Sequence, residues 1–365
     1  GDWSSDVCSS DLCMYSRYLI TGASGFLGRA VIEELVRRNA RIDALVLPDD
    51  PCAALLPKEA HTVVGDVCEE DSLARFFADA DGSTCVIHCA GVISVASRAG
   101  SRLYQVNVGG TGKVIRQCLE HQIGKLIYVS SVHAIPEKPK SCVMTEACTF
   151  SPGLVDGDYA KSKAAATEMA FDAAARGLNV SVVFPSGIIG PGDVAGGSFT
   201  SMAQAFLSGK LPFAVRGGYD FVDVRDVAKG ILACSEGGEP GRGYILSGHY
   251  ITISGMLRRI GKAARLIYRP LCLPLRLARL AAPYYERRCL KEKKPLFFTP
   301  YSIAVLGSNG RFSHSAATER FAYRPRPIEQ TLQDMTAWLV SQRAAAGTPF
   351  RGALLRSRGV CQVKG

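Results

Sequence analysis

The sequence predicts an α/β fold: a doubly wound parallel sheet with a smaller C-terminal lobe. Three observations predict it. From Arg17 to Pro185, short apolar runs alternate with helical stretches, the rhythm of successive βαβ units. The first apolar run, RYLIT, leads straight into a glycine-rich turn, TGASGFLG (21–28), that opens a helix. At 365 residues, with 47% apolar and 21% charged side chains, the chain has the length and composition of one large α/β unit carrying a smaller lobe.

Residues 1–13, GDWSSDVCSSDLC, are Ser/Asp-rich and aperiodic. They read as a disordered tail, or as foreign sequence of the kind a translated adapter gives, and are set apart from the fold. The pattern begins at Met14. RYLIT is the first strand and Phe26–Arg38 the first helix. RIDALVL and HTVVGD are the second and third strands, Ser72–Ala78 a short helix, and TCVIHCA (84–90) the fourth strand. A helix over 101–121 precedes KLIYVSS, the fifth strand. A long helix over Asp156–Arg176 precedes NVSVVFP, the sixth. Beyond about residue 190 the rhythm breaks into loops, short strands and helices, the helices including 225–235, 252–265 and 328–342. The chain therefore divides into a core of 14–190 that carries the chemistry and a lobe of 191–342, from which 221–236 returns to the core. A basic tail, 343–365, is expected to be disordered.

No run of 18 uninterrupted apolar residues occurs, so no transmembrane helix is expected. A positive start followed by an apolar core is missing too, so no secretory signal is expected. The thirteen cysteines are scattered and odd in number; the closest pairs, Cys85 with Cys89 and Cys8 with Cys13, do not suit zinc. Reduced thiols in a cytoplasmic protein are the simplest reading. The six histidines show no metal-ligand spacing, so His88, His121 and His133 read as packed or surface residues and no metal is expected.

The net charge of +10 is unevenly placed. Residues 256–294 hold twelve Lys or Arg against two Glu, and the chain from Arg343 adds five basic residues and no acid. The remainder is slightly acidic, which argues against a general nucleic-acid-binding surface. Within the basic stretch, LCLPLRLARLAAPYY (271–285) interleaves leucines with Arg276 and Arg279. A lobe helix with its leucines inward, the lining of an apolar substrate pocket, and peripheral contact with an anionic membrane through 256–294 all remain open. Pro274 and Pro283 are expected to limit any long helix there.

Gly22, Gly25 and Gly28 allow a tight turn and a close approach of a pyrophosphate to the helix N-terminus, whose free N–H groups and dipole favour an anion. The second strand ends LVLPDD. Asp49 or Asp50 there could hydrogen-bond a ribose 2′-hydroxyl and would repel a 2′-phosphate, which favours NAD, while Arg29 could serve the phosphate of NADP. Asp66 follows the third strand, placed to reach an adenine amino group.

YAKSK places Tyr159 and Lys163 at i and i+4 of a predicted helix, on one face. An ammonium beside a phenol is expected to lower its pKa from about 10 toward 7, making Tyr159 a general acid–base for an alcohol or carbonyl oxygen. Ser130 and Ser131 end the fifth strand on the same side as the glycine loop, where a hydroxyl could hold that oxygen. Cys89 beside His88 invites a thiol-nucleophile reading, which its place in a strand bordering the cofactor disfavours.

In this order, TGASGFLG, GDV (65–67), VIHCAG (86–91), NVGGTGKVI (107–115), YVSS, YAKSK, FPSGIIGPGD (184–193) and FVDVRDVAKG (221–230) resemble the extended short-chain dehydrogenases/reductases of the NAD-dependent epimerase/dehydratase superfamily. The stretch 299–339 resembles the branch holding dihydroflavonol-reductase-like and 3β-hydroxysteroid-dehydrogenase-like proteins. The resemblance implies a Rossmann core and a catalytic set of Ser131, Tyr159 and Lys163, with Asn107 supporting the helix or a proton relay. Lys163 would also bond the nicotinamide ribose. It implies that the dinucleotide is lined by Gly22, Ser24, Gly25, Phe26, Leu27, Gly28, Asp49, Asp66, Val67, Cys89, Ala90, Gly91, Tyr159, Lys163, Pro185, Gly187 and Ile188. A homodimer through 101–121 and 156–177 is a further implication.

Three departures bear on the substrate. Tyr219-Asp220 stands where sugar-nucleotide members carry Arg-Asp, Phe184 stands where Arg is common, and only about 30 residues separate GPGD from FVDV. Arg216 could compensate. The expected activity is NAD(P)-dependent interconversion of a secondary alcohol and its ketone on a small, largely apolar substrate. The alternatives are a sugar-nucleotide epimerase or dehydratase, and a non-catalytic dinucleotide-binding protein.

Overall fold

The computed structural model describes residues 14–211, 213–266, 270–292 and 294–347. The predicted N-terminal segment, and the tail from 348 onward, lie outside the described residues. In chain order the core strands are β1 (Arg17–Thr21), β2 (Ile42–Val46), β3 (Ala60–Val64), β4 (Thr84–His88), β5 (Lys125–Val129) and β6 (Val180–Pro185). The rest of the chain adds β7 (Gly187–Ile189), β8 (Phe213–Val215), β9 (Gly218–Asp223), β10 (Arg242–Leu246), β11 (His249–Thr252) and β12 (Leu271–Leu273). Seven of these form one parallel sheet in the order β10-β6-β5-β4-β1-β2-β3.

The connections explain the site's position. From β1 the chain moves outward to β2 and β3, then returns to place β4 on the other side of β1. The loops after β1 and β4 therefore part at the C-terminal edge, which opens a crevice at the switch point. The central strands β1, β2, β4, β5 and β6 are buried along their whole length because both faces are covered, whereas the edge strand β3 is largely exposed. Leu19, Val86, Leu126 and Val182 point into one core cluster, and Tyr18, Ile20, Ile87, Ile127 and Val183 into the other. Each such buried side chain contributes about 1.5–3 kcal/mol.

Helices α1 (Phe26–Arg37), α2 (Glu70–Phe77), α3 (Ser101–Tyr104), α4 (Thr111–Glu120) and α5 (Asp158–Ala175) complete the predicted βαβ units. The helix predicted over 101–121 is not regular: a π-helical turn, Gln105–Gly110, joins α3 to α4. Helix α6 (Ser198–Leu207) and α7 (Val224–Gly237) follow, α7 packing beside α1 on the core. The lobe is built from α8 (Ile253–Ala263), α9 (Leu275–Lys291), α10 (Pro300–Leu306), α11 (Ser315–Phe321) and α12 (Ile328–Ala345). A three-stranded sheet β11-β9-β7 and the pair β12-β8 tie it to the core.

Two expectations are corrected here. Prolines 274 and 283 do not prevent a long helix: α9 runs 17 residues, with Pro274 as its N-cap and Pro283 inside it. Pro283 removes the donor for the Arg279 carbonyl, and because both residues are exposed, water can serve that group. The tail does not begin at 343, since α12 continues to Ala345. Among the described residues no helix is long and apolar enough to cross a membrane.

Candidate active site

The glycine loop joins β1 to α1. Gly22 takes φ +65°, and a Cβ there would lie 2.6 Å from the Ala90 nitrogen, so the loop after β1 and the loop after β4 touch through it. Gly28 lies against Gly22, where a Cβ would come within 2.2 Å of its carbonyl oxygen. The N-terminus of α1 has no side-chain cap and no acid in its first turn, so its N–H groups face the crevice uncommitted. Phe26 and Leu27 begin that helix. Arg29, one position past Gly28, reaches across the crevice to the Gly192 carbonyl, and its buried Nε has no hydrogen-bond partner among the described residues. An uncapped helix end and an orphaned guanidinium nitrogen fit the pyrophosphate of a dinucleotide.

The acidic residues separate. Asp50, half-buried, accepts a hydrogen bond from Ser24 of the glycine loop and caps the turn at Cys52. Asp49 is exposed, with φ +55° at the crest of the turn. Pro48 sets that turn, and the carboxylate that meets the loop is the second of the pair. Asp66 is committed elsewhere: its Oδ2 lies 2.6 Å from Arg102, and Oδ1 accepts from the Cys68 N–H. Burial pushes its pKa up, but Arg102 and Cys68 outweigh this and hold it below the usual carboxylate range. Val67 is buried against Gly110 of the π turn. On the far side, β6 ends at Pro185, and Gly187 and Ile188 open β7.

Asn107 shows why the π turn exists. Its Oδ1 accepts from the Val92 N–H at 2.7 Å, and its Nδ2 donates to the Val92 carbonyl and to Ser162, both at 3.0 Å. The side chain thus fastens the loop after β4 to α5, and the local widening of the helix aims it there. His88 extends the network. Thr111 donates to the Asn107 carbonyl, so its oxygen accepts from His88 Nε2 at 2.9 Å, leaving Nδ1 to accept from Thr21 at 2.6 Å. Burial lowers the His88 pKa to about 3, which fits a neutral ring acting as a structural link. Burial also pushes the Cys89 thiol up to about 12, unlike a nucleophile.

Ser131 caps the turn after β5, and its hydroxyl acts on the nearby Tyr159 phenol to favour ionisation. Lys163 lies one helical turn beyond Tyr159, as expected, but among the described residues its ammonium bonds a strand end and not the phenol. Its Nζ donates to the Val129 carbonyl at 2.9 Å and sits 5.2 Å from the Tyr128 ring centre. The long side chain runs back to the strand end. Burial raises Tyr159 to about 12, with the Ser131 hydroxyl pulling the other way, and burial lowers Lys163 to about 8. A Cβ on Gly91 would lie 3.4 Å from Lys163 Nζ, so the backbone beside Ala90 borders both the lysine and Asn107.

Beside Tyr159 lies a residue that the sequence left among the packed histidines. His133 stacks flat on Tyr219, at 5.5 Å and 13°, and meets the Tyr159 ring edge-on at 5.8 Å. Its Nε2 and Nδ1 lie 3.3 and 3.4 Å from the hydroxyls of Tyr219 and Tyr301. Burial lowers its pKa to about 4, keeping it neutral. Its place two residues after Ser131 was a usable signal; nothing in the sequence marked Tyr301, which comes from α10. The rings of His133, Tyr219 and Tyr301 wall a cavity of about 160 Å³ that Met144, Leu154, Val155, Ala160 and Phe312 also line; Ser131 and Tyr159 adjoin it through their chain neighbours Val132 and Ala160 and are not in its wall. Its charged members are Glu137 and Asp156, with no Lys or Arg. Arg216 is exposed and absent from the cavity wall. Phe184 is in the core, stacked on Phe150 at 5.3 Å, so that departure concerns packing rather than substrate. A larger cavity, about 800 Å³, lies between α6 and α9, and its wall includes no neighbour of Ser131 or Tyr159.

The family model described as the NAD dependent epimerase/dehydratase family matches residues 18–246. The chain belongs to that family. It is an NAD-dependent enzyme of the extended short-chain dehydrogenase/reductase superfamily, and the crevice described above fits its dinucleotide. The chain is 28% identical to sterol demethylase protein B of Methylococcus capsulatus over 88% of its own length and 97% of that protein's. It is 27% identical to a 3beta-hydroxysteroid-dehydrogenase/decarboxylase isoform of Arabidopsis thaliana, covering 84% of this chain and 75% of that one. The crystal structure of gox2253 superposes with a TM-score of 0.78 at 27% identity, over 90% of this chain and 98% of that one.

Proposed function

We propose that this family member transfers hydride between NAD and a largely apolar secondary alcohol or ketone, with Tyr159 as the general acid–base. One observation carries the substrate class: the cavity beside Tyr159 presents aromatic and aliphatic walls, two carboxylates and no cation. A nucleotide diphosphate would meet repulsion there, whereas a flat apolar ring system would meet the faces of His133, Tyr219 and Tyr301. The sterol and 3β-hydroxysteroid names of the two relatives support the same class.

Each side chain has a distinct task. NAD, when bound, would supply the hydride acceptor or, in its reduced form, the hydride donor. Ser131 donates to the substrate oxygen and fixes it next to the Tyr159 hydroxyl. In reduction Tyr159 gives its proton to that oxygen, and the raised pKa keeps the phenol in the form that can donate. In oxidation the proton moves the other way. Lys163 is within reach of the backbone at Gly91, where it can bond a ribose hydroxyl, while Asn107 holds this backbone and α5 in fixed relation.

The test is NADH formation by the purified protein with NAD and a panel of 3β-hydroxysterols and simpler apolar secondary alcohols. Tyr159→Phe is expected to reduce turnover by about 10²–10⁴-fold while leaving NAD affinity unchanged. Equal turnover in that variant, or activity confined to sugar nucleotides, would sink the proposal.

A further inference from the structure

The outward face of α9 groups exposed apolar and cationic side chains. Its inner face is well packed: Ala278, Ala282 and Cys289 are buried, and so is Glu286, which accepts hydrogen bonds from the backbone and hydroxyl of Ser97. The opposite face holds Leu277, Leu280 and Tyr284 at i, i+3 and i+7, and they are 54%, 80% and 72% exposed. Large apolar residues grouped in this way on a surface call for a partner. Between them stand Arg276, Arg287 and Lys291, which make no ion pair among the described residues. The helix's two acids are spent elsewhere or lie at its end: Glu286 is buried, and Glu292, the C-cap, pairs with Arg288 and Lys294.

Charge decides what kind of partner fits. A second copy related by a two-fold axis would bring this cationic face against itself, with no acid to neutralise it. A nucleic acid would use the cations but leave the leucines and the tyrosine in water. An anionic lipid surface satisfies both: the leucines enter the acyl boundary, Tyr284 sits at headgroup level, and the cations remain among the phosphates.

We propose that α9 docks the protein onto anionic membrane surfaces as an interfacial helix. The attachment is peripheral, since the buried face of α9 stays in the fold. It is independent of the substrate reading above, because α9 contributes no residue to the cavity beside Tyr159.

Co-sedimentation of the intact protein with vesicles tests it. Vesicles of mixed phosphatidylglycerol and phosphatidylcholine are expected to carry the protein down, and pure phosphatidylcholine vesicles are not. High salt is expected to weaken the binding, a measurement that needs no variant. Leu277→Glu with Leu280→Glu, and separately Arg276→Glu with Arg287→Glu, are each expected to reduce partitioning at least tenfold. The pairs are exposed, so the fold should survive, and circular dichroism checks this. Leu55→Glu, an equally simple exposed change on the dinucleotide-binding side, is expected to leave partitioning unaltered. Failure to sediment with anionic vesicles overturns the proposal, as does sedimentation indifferent to both salt and the α9 variants. So does a dimer that Leu280→Glu dissolves in protein that ignores vesicles, since the face would then be an interface between copies.

Discussion

Two buried lysines show how differently one side chain can be used. Lys125 gives its three protons to the side chains of Asn179 and Ser181 and the carbonyl of Gly238, a complete set of partners that holds β5, β6 and the loop after α7 together. Among the described residues Lys163 makes one hydrogen bond, to the Val129 carbonyl, beside the Tyr128 ring, and burial lowers its pKa to about 8. A charge so poorly paired burdens the fold. Lys163→Met is expected to abolish turnover and yet to stabilise the NAD-free protein at pH 7, by about 1–3 kcal/mol. The pH dependence distinguishes this cause from better packing. Below pH 8 the lysine is charged in both states and the full burden is present. Between about 8 and its unfolded value of 10.5, the folded protein has released a proton that the unfolded chain still holds, so wild-type stability rises with pH. The advantage of the methionine variant should therefore shrink across that window in thermal melts; an advantage constant from pH 7 to 10 would refute the assignment. Spacing alone showed that Tyr159 and Lys163 share a face. It could not show that the lysine turns to a strand end, because that depends on where α5 lies relative to β5.

At the scale of elements, the glycine loop combines a packing requirement with a binding one, and substitution can separate them. Gly28 is buried in the first turn of α1 against the backbone of Gly22, with no flexible side chain able to give way. Gly25 is exposed at the helix N-cap, where a Cβ would lie 3.1 Å from the Gly22 carbonyl. Gly28→Ala is thus expected to destabilise the fold by about 1–3 kcal/mol through overpacking, losing NAD binding as a consequence. Gly25→Ala should stay within about 1 kcal/mol of wild type in stability, and still bind NAD more weakly because the methyl occupies the pyrophosphate's path. Matched losses of stability in the two variants would contradict this division. The same scale explains what was legible beforehand. Strands β1 to β6 and helices α1 to α5 were visible because each apolar run is local and its period is set by two buried faces. The π turn was not, because its cause is the bonding of Asn107 to Val92 and Ser162 across the fold. Strands β7 to β12 are three to six residues long, and several pair with partners distant in sequence, so their local pattern carries little signal.

The whole molecule places a dinucleotide crevice, made by the core, against an aromatic cavity closed by the lobe. His133 comes from the turn after β5, Tyr219 from β9 and Tyr301 from α10, and all meet at the start of α5. Tyr159 stands at their junction, so NAD in the crevice and a substrate in the cavity would meet there. What becomes of the hydride then separates the two chemistries found within this family. An epimerase or dehydratase returns it to the same substrate molecule, so its NAD is restored each cycle and has no need to leave. A dehydrogenase ends its turnover with the dinucleotide in the other redox state, and must exchange it. Net oxidation or reduction of an apolar substrate therefore has a consequence for the cofactor. Protein purified without added NAD and then heat-denatured is expected to release far less than one equivalent of dinucleotide. Reduction of an apolar ketone with NADH deuterated at the nicotinamide C4 position should place deuterium at the carbinol carbon of the product, one atom per turnover from the transferring face. Near-stoichiometric bound NAD, together with products that take no label from added NADH, would show that the hydride never leaves the site. The cation-free cavity would then have to accommodate an epimerase or dehydratase substrate, by contacts other than ion pairing to Lys or Arg in its wall.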